Sequence, residues 1–229
     1  MDKKQFYEKI DVTRMSADEK RRADIMLKLL DGFAPKNLLD VGGMPEMTEY
    51  FANTLKIGGI GINISEKVVN SYKGANKGLK FVVGDAENGL PGGKFDLIIC
   101  GELLEHLQDP DAFIEALKPR MSENGRLLLT VPNLASLFNR VSLLFGWQPR
   151  GINPSHKMLL NPFTKYDYNW GHISMFTHYS VRKFLEANGF KVLAVKGTYG
   201  GPKSNLLRAL LSARTSFSEQ IIILARLKA

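Results

Sequence analysis

Two histidines are the residues best suited to take up a proton near neutral pH. The chain has four histidines, and a histidine side chain titrates close to physiological pH, as a general base requires. His106 follows an apolar run at residues 95–100 within a polar stretch, and His172 lies in a Gly-His-Ile sequence further on. His156 and His178 have less context. We predict His106 and His172 as the catalytic candidates; for His106, a structural hydrogen bond at a helix end is the alternative.

A glycine turn at Gly42 and Gly43 could bring backbone amides close to a ligand. An apolar run ending at Asp40 and Val41 precedes the turn, and helix-like residues 46–52 follow it. This order is typical of strand, turn and helix, and in an open α/β sheet a ligand binds beyond the carboxyl end of such a strand. The sequence therefore predicts a cofactor site here. A turn that needs glycine only for its backbone geometry is the alternative.

The residues after the glycine turn disfavour a dinucleotide. A pyrophosphate-binding turn requires glycines at three set positions and an unobstructed, positive helix N-terminus. Met44 and Met47 occupy two of those positions, and Glu46 places a negative charge in the first helical turn. A nicotinamide-dependent oxidoreductase is therefore disfavoured.

Polar residues also follow the other predicted strands. Apolar runs at residues 60–64, 80–83 and 95–100 predict three further strands. Asn63 lies near the end of the first run, and Asp85 and Glu102 follow the other two; a fifth strand is predicted at residues 125–133. A helix beginning at Asp109 and ending at Leu117 separates the last two. Alternating strands and helices predict an α/β fold with a parallel sheet and helices on both faces.

Five short motifs follow one another in a fixed order and begin at Asp40, Gly61, Gly84, Leu104 and Leu127. Together they resemble the motifs of class I S-adenosylmethionine (SAM) methyltransferases, in the branch with a Glu-His-Leu motif after the fourth strand. The similarity covers roughly residues 20–229. It implies a Rossmann-like methyltransferase fold with a seven-stranded, mostly parallel sheet whose last strand, at residues 220–225, is antiparallel. We predict one domain over residues 1–229, in which the leading segment 1–36 forms a helix at 5–36 and residues 134–170, after the fifth strand, form a substrate cap.

The resemblance implies where SAM would bind. Asp40 would shape the methionine end, Asn63 the ribose, Asp85 the adenine and Glu102 the wall beside the sulfonium. An amide at position 63 can bond both ribose hydroxyls but brings no charge. The implied cofactor-binding residues follow the first four strands: Asp40, Gly42, Gly43, Asn63, Ile64, Asp85, Ala86, Gly101 and Glu102.

The same resemblance leaves two alternatives. Met44, Glu46 and Asn63 depart from the family pattern, so the chain could instead be a SAM-binding regulatory module without catalysis. A bound divalent metal ion is the second alternative. It is suggested by four residues that resemble the metal cluster of small-RNA 2′-O-methyltransferases and some quinone O-methyltransferases: Glu102, Glu105, His106 and His172. Because many relatives share the Glu-His-Leu motif without a metal, we do not assign these residues as metal ligands.

The composition is that of an ordinary soluble globular protein, with 229 residues of which 44% are apolar and 24% charged. No stretch approaches the ~20 apolar residues of a membrane span. Residues 1–7 are too polar for a signal peptide, so we expect a cytoplasmic protein. The single cysteine, Cys100, excludes an intrachain disulfide, and we expect a buried thiol.

The net charge of +8 is concentrated in residues 118–229, which hold sixteen Lys and Arg against four Asp and Glu. Such a surplus attracts anions, although plain solubility is the alternative. We expect a small-molecule or glycan- or lipid-linked acceptor that carries a phosphate. Nucleic acid is disfavoured because no nucleic-acid-binding module is recognisable. A basic amphipathic segment at 203–214 allows peripheral membrane contact. The sequence holds no signal for an oligomeric state.

The predicted cap has two parts. Apolar residues at helical spacing in 134–145 predict a helix, and for Leu137 and Val141 we expect a place in the core. A loop rich in aromatic residues and prolines follows at 147–170, and such rigid rings suit the wall of a binding pocket.

Overall fold

The computed structural model describes residues 15–155, 157–164, 171–199 and 214–228. None of the helices in these residues is long and apolar enough to cross a membrane. The strands are β1 (Asn37–Val41), β2 (Gly58–Asn63), β3 (Leu79–Val83), β4 (Phe95–Gly101), β5 (Met121–Pro132), β6 (Phe190–Thr198) and β7 (Gln220–Leu227). The described α-helices are α1 (Ala17–Leu29), α2 (Pro45–Leu55), α3 (Glu66–Asn70), α4 (Pro110–Leu117), α5 (Leu137–Leu144) and α6 (His178–Ala187). A 3₁₀ turn at Leu104–His106 follows β4.

The seven strands form one sheet in the order β3-β2-β1-β4-β5-β7-β6. Pairs from β3 through β5 are parallel, whereas β7 runs antiparallel to both β5 and β6. The predicted seven-stranded sheet with an antiparallel last strand is therefore confirmed. Chain order reverses between β1 and β4, which places a switch point between their carboxyl ends.

Local sequence sets where the helices begin. Ser16 caps α1 in a reciprocal box with Glu19. Asp109 caps α4 by accepting a 2.9 Å hydrogen bond from the backbone N–H of Ala112, and Thr177 caps α6.

Helices cover both faces of the sheet, as predicted. Adjacent residues of β1 point to opposite faces. Leu38 packs in the cluster that α1 and α2 complete with Met26 and Phe51, while Leu39 packs in the cluster that α4 and α6 complete. Cys100 is buried in the second cluster, in agreement with the predicted buried thiol.

The leading helix is shorter than predicted among the described residues. It ends at Leu29, and Gly32 turns the chain with a φ of +78°, a conformation that favours glycine. Residues 1–14 lie outside the described residues.

The predicted core role of the α5 stripe is wrong. Val141 is 43% exposed and Leu137 is only partly buried, whereas the polar Asn139 and Ser142 of the same helix are buried. The side chain of Asn139 pairs with both backbone groups of Arg150, with distances of 2.8 and 3.2 Å. These bonds turn the polar side of α5 inward, so the apolar stripe faces away from the core.

Candidate active site

A cleft opens at the switch point beyond the carboxyl ends of β1, β2, β3 and β4. We call it the strand-end cleft; its volume is about 80 Å³. Gly42 has a φ of +77°, and its N–H donates a 2.8 Å hydrogen bond to the carbonyl oxygen of Ile62. The residues that line the cleft are Gly42, Ile62, Asn63, Ile64, Gly84, Asp85, Ala86, Glu102, Leu103, His106 and Leu107.

Asp40 supports the glycine turn from below. Its carboxylate accepts a 2.5 Å hydrogen bond from the hydroxyl of Thr48. A Cβ atom at Gly43 would lie 2.6 Å from Cγ of Asp40, so only glycine lets the turn close over this side chain. Burial raises the pKa of Asp40 to about 7, against the opposing hydrogen bond from Thr48.

Asn63 fastens the glycine turn to the end of β2. Its side-chain amide donates to the carbonyl oxygens of Gly42, at 3.2 Å, and Gly43, at 3.1 Å. Its Oδ1 accepts a 2.9 Å hydrogen bond from the N–H of Ser65, the residue that caps α3. Only an amide can both donate and accept in this way.

Glu102 lies in the left-handed region with a φ of +50°, which is uncommon for a residue other than glycine. Its Oε2 accepts a 3.1 Å hydrogen bond from the side chain of Gln220. Its Oε1 lies 3.7 Å from the guanidinium of Arg22 in α1, and within the part of the chain that the structure describes neither this oxygen nor Nε of Arg22 has a hydrogen-bond partner. The leading helix is thus tied electrostatically to the edge of the cleft.

A second, larger space lies on the other side of Glu102. This cap cavity has a volume of about 400 Å³ and is lined by α1, the strand ends and residues of the cap such as Phe138 and Asn139. Glu102 and His106 line both spaces, so the strand-end cleft and the cap cavity meet at these two side chains. The charged residues in the lining of the cap cavity are Asp18, Arg21, Glu102, Glu105, Arg150 and Glu219.

Glu105, His106 and His172 form one group in the cap cavity, which we call the acid–histidine cluster. The rings of His106 and His172 lie 4.8 Å apart, and Nε2 of His106 lies 4.0 Å from the carboxylate of Glu105. The backbone carbonyl of Glu105 accepts hydrogen bonds from the N–H groups of Ile173 and Ser174, at 2.7 and 3.1 Å. These bonds bring His172 beside His106, which lies 66 residues earlier in the chain.

The cluster is chemically unusual because its carboxyl group is buried. Glu105 has no exposed surface, and neither carboxyl oxygen has a hydrogen-bond partner among the described residues. Burial, and then the charge of Glu102, raise the pKa of Glu105 well above its ordinary value. Nδ1 of His172 lies 2.8 Å from the carbonyl oxygen of Gly151, which fits the tautomer that leaves Nε2 as an acceptor. Such a nitrogen could take up a proton or bind a metal.

The cluster could hold a divalent ion, since one ligand atom from each member lies within 4.8 Å of the others. Bonds of roughly 2.1 Å to a tetrahedral ion place ligand atoms about 3.4 Å apart. The members would therefore have to move closer together to bind an ion.

The sequence of residues 15–195 matches the model of a family described as a methyltransferase domain. This match covers most of the chain. The chain belongs to this methyltransferase family. Ajmaline N-methyltransferase from Rauvolfia serpentina is 35% identical over 108 residues, a stretch that is 44% of this chain and 37% of that protein. The chain thus aligns with well under half of that relative.

Solved methyltransferase structures share the fold. A SAM-dependent methyltransferase from Clostridium acetobutylicum has a TM-score of 0.64 at 15% identity, over 93% of this chain and 94% of that one. The N-methyltransferase NodS from Bradyrhizobium japonicum, in complex with S-adenosylhomocysteine (SAH), has a TM-score of 0.63 at 16% identity, over 93% and 89%.

The cofactor-binding residues predicted for this chain fall into two groups. Six of them line the strand-end cleft: Gly42, Asn63, Ile64, Asp85, Ala86 and Glu102. Asp40, Gly43 and Gly101 are not in that lining; the first two form the base of the glycine turn, and Gly101 ends β4. Both catalytic candidates, His106 and His172, line the cap cavity.

The cleft fits the adenosine part of the methyltransferase cofactor in chemical character. Ile62, Leu103 and Leu107 give apolar walls for a base, and Asp85 offers a carboxylate at the edge. Among the described residues, the lining contains no Lys or Arg that could pair with a pyrophosphate.

Sequence reasoning missed Arg22 and Thr48, which act on Glu102 and Asp40. Thr48 lies eight residues after Asp40, on the first turn of α2, and that spacing after a strand end could have suggested a contact. No local signal marks Arg22, because it is one of several basic residues in α1.

Proposed function

We propose that this protein is a SAM-dependent methyltransferase that acts on a small-molecule acceptor bound in the cap cavity. One observation carries the proposal: Glu102 and His106 line both the strand-end cleft and the cap cavity. A methyl donor in the first space and an acceptor in the second would therefore meet beside a candidate base. Family membership and the fold of NodS, crystallised with SAH, support SAM as the donor.

The proposed reaction requires little covalent catalysis by the protein. SAM supplies a methyl group already activated by its positively charged sulfur. The chain positions the acceptor in line with that group and removes a proton where the acceptor carries one. His106 and His172 are placed to accept this proton, and the carboxylate of Glu102 faces the region where positive charge would lie.

For the acceptor, we propose an anionic small molecule, with glycan- and lipid-linked phosphates as candidates. Arg150 lines the cap cavity with its guanidinium 4.6 Å above the ring of Phe138 and 3.4 Å from Glu219. An anion near Arg150 would leave the methyl-accepting atom free to approach the acid–histidine cluster. Lys165 and residues 203–213 of the amphipathic segment, with Lys203 and Arg208, lie outside the described residues, whereas Arg214 at the end of the segment is described and exposed.

The alternative of a regulatory module without catalysis gains no support from the residues that suggested it. Glu46 accepts a 2.6 Å hydrogen bond from the N–H of Met15, which anchors the start of the leading helix. Asn63 holds the glycine turn, and Met44 occupies the N-cap position of α2 in an extended conformation. Each departure from the family pattern has a structural role that is compatible with catalysis.

Titration calorimetry tests the proposal. We expect SAM and SAH to bind with micromolar affinity and NAD to give no heat. Asp85→Ala, in the strand-end cleft, should weaken SAM binding about fivefold, since one hydrogen bond is worth roughly 1 kcal/mol. Asp31→Ala, at an exposed site after α1, is the matched control. Absence of heat with both SAM and SAH would overturn the proposal.

A further inference from the structure

The outer side of the cap presents apolar side chains to solvent, in reverse of the usual order. In α5 the polar residues Asn139 and Ser142 are buried, at 3% and 2% exposure. Leu143 and Leu144 are 56% and 80% exposed, and Phe145 at the end of the helix is 62% exposed. A helix at a protein surface normally turns its apolar stripe to the core.

Hydrogen bonds fix this orientation. Asn139 is held by two bonds to the backbone of Arg150. The hydroxyl of Ser142 accepts a 2.8 Å hydrogen bond from the side chain of Asn161, whose amide also donates to the carbonyl of Gln148 at 2.7 Å. Rolling α5 to bury its leucines would break these bonds and leave their buried polar groups without partners, which is unfavourable. The exposure is therefore built into the cap.

The loop after α5 extends the same surface. The ring of Trp147 lies 5.0 Å from Phe145 and 4.8 Å from Phe163, and Phe163 is 65% exposed. Met158 and Leu160 are exposed next to Asn161, the residue bound to Ser142. We define the outer cap face by these six exposed side chains: Leu143, Leu144, Phe145, Met158, Leu160 and Phe163.

The charge around this face indicates its partner. Residues 134–164 contain no Asp or Glu, and of their three basic residues Arg150 lines the cap cavity. Arg140 and Lys157 are exposed. Apolar side chains among basic residues, with no acidic ones, are typical of surfaces that enter the headgroup region of anionic bilayers. A protein partner would not require acidic side chains to be missing from the whole segment.

We propose that the outer cap face docks peripherally on an anionic lipid membrane. The apolar side chains enter the interface, and Lys157 contacts lipid phosphates, while the guanidinium of Arg140 bonds the carbonyl oxygen of Ala135 and lies over the ring of Phe217. The inner side of α5 contributes Phe138 and Asn139 to the cap cavity, so docking places that cavity one helix away from the lipid. This inference does not depend on the proposed function, because lipid binding is measured without turnover.

Vesicle co-sedimentation tests the docking. We expect the full chain to bind vesicles that contain phosphatidylglycerol, to bind pure phosphatidylcholine vesicles at least tenfold more weakly, and to dissociate as salt is added. The double variant Leu143→Ser with Leu144→Ser should lower partitioning on phosphatidylglycerol vesicles at least tenfold. The matched control is Tyr179→Ser with Leu193→Ser, at residues that are 71% and 40% exposed outside the cap, and it should stay within twofold of the unmodified chain.

Three results would overturn the docking proposal. The first is equal or undetectable binding of the unmodified chain to both vesicle types, and the second is undiminished binding of the cap variant. The third is a lower thermal midpoint or a changed size on gel filtration for the cap variant without lipid, since either would show that this chain or a second copy covers the face. An unchanged midpoint and size, together with weaker vesicle binding, would support the membrane as the partner.

Discussion

The side-chain amide of Asn63 lies 3.1 Å from the carbonyl oxygen of Gly43, and the same nitrogen lies 3.2 Å from that of Gly42. An aspartate at position 63 could not donate these bonds and would face two carbonyl oxygens with a negative charge. We predict that Asn63→Asp lowers the free energy of unfolding by about 2 kcal/mol and weakens SAM binding. Denaturant unfolding and calorimetry measure the two effects.

Asn70→Asp, at the exposed end of α3, is the control for this prediction. From the sequence alone, an acid at position 63 would be expected to tighten the cofactor, since it would add charge next to the ribose. Tighter SAM binding by the Asn63→Asp variant would show that a contact to the ribose contributes more to binding than the hydrogen bonds that hold the glycine turn.

The sheet and the positions of its ligand-facing ends could be predicted because they depend on short-range patterns. Each of the first five β-strands contains an apolar run that leads to polar or glycine residues, and the resemblance to class I methyltransferases implied the seven strands and the antiparallel last strand. The orientation of α5 could not be predicted in this way. The spacing of Leu137 and Val141 shows that the helix has an apolar side, but it does not show whether that side packs against the core or faces solvent. Hydrogen bonds from Asn139 and Asn161 to distant backbone groups decide the orientation, and no local pattern encodes them.

Asp40 should make stability depend on pH. Burial raises the pKa of its carboxyl group to about 7 from an ordinary value of 3.8, so the folded state binds this proton more tightly than the unfolded state. The stabilisation is full below about pH 4 and is lost as pH rises through about 7. As pH rises over this window, we predict that the free energy of unfolding of the unmodified chain falls by up to about 4 kcal/mol more than that of the Asp40→Asn variant. Denaturant unfolding of both proteins at several pH values measures the difference, and parallel profiles would contradict it.

Arg22 should stabilise the chain through Glu102. Its guanidinium is buried 3.7 Å from that carboxylate, and its positive charge also favours the ionised form of Glu105. Arg22→Met would leave Glu102 without its cation, and breaking a buried ion pair costs about 3 kcal/mol. We expect chemical unfolding to show a loss of that order, with a smaller loss for Lys28→Met at an exposed site on the same helix. Equal effects of the two variants would show that the pair contributes nothing specific.

The acid–histidine cluster should act through a proton rather than a metal. His172→Asn keeps a donor where Nδ1 meets the carbonyl of Gly151 but removes Nε2, so we predict a fall in kcat of about 10²-fold or more with little change in the KM for SAM. His178→Asn, at the start of α6, is the control. Steady-state kinetics on a working acceptor measure both.

Metal removal separates the two roles of this cluster. We expect methyl transfer to survive exhaustive dialysis against a chelator, because the three ligand atoms are spread over distances up to 4.8 Å. Loss of activity on chelation, with recovery on adding one divalent cation, would make the cluster a metal site. Elemental analysis of the purified protein provides an independent measurement.

Arg150 should select acceptors by charge. Its backbone is fixed by Asn139, and its guanidinium rests on Phe138 at the wall of the cap cavity. For one acceptor in neutral and phosphorylated versions, we predict that Arg150→Ala raises the KM of the phosphorylated version about tenfold and that of the neutral version less than twofold. Added salt should weaken the binding of the phosphorylated acceptor and leave that of the neutral acceptor unchanged, because salt screens a solvent-accessible charge pair. Lys157→Ala probes the exposed part of the cap, and Lys196→Ala, exposed on β6, is the control. If the two versions are used equally and salt has no effect, the positive charge of residues 118–229 serves only to keep the surface solvated.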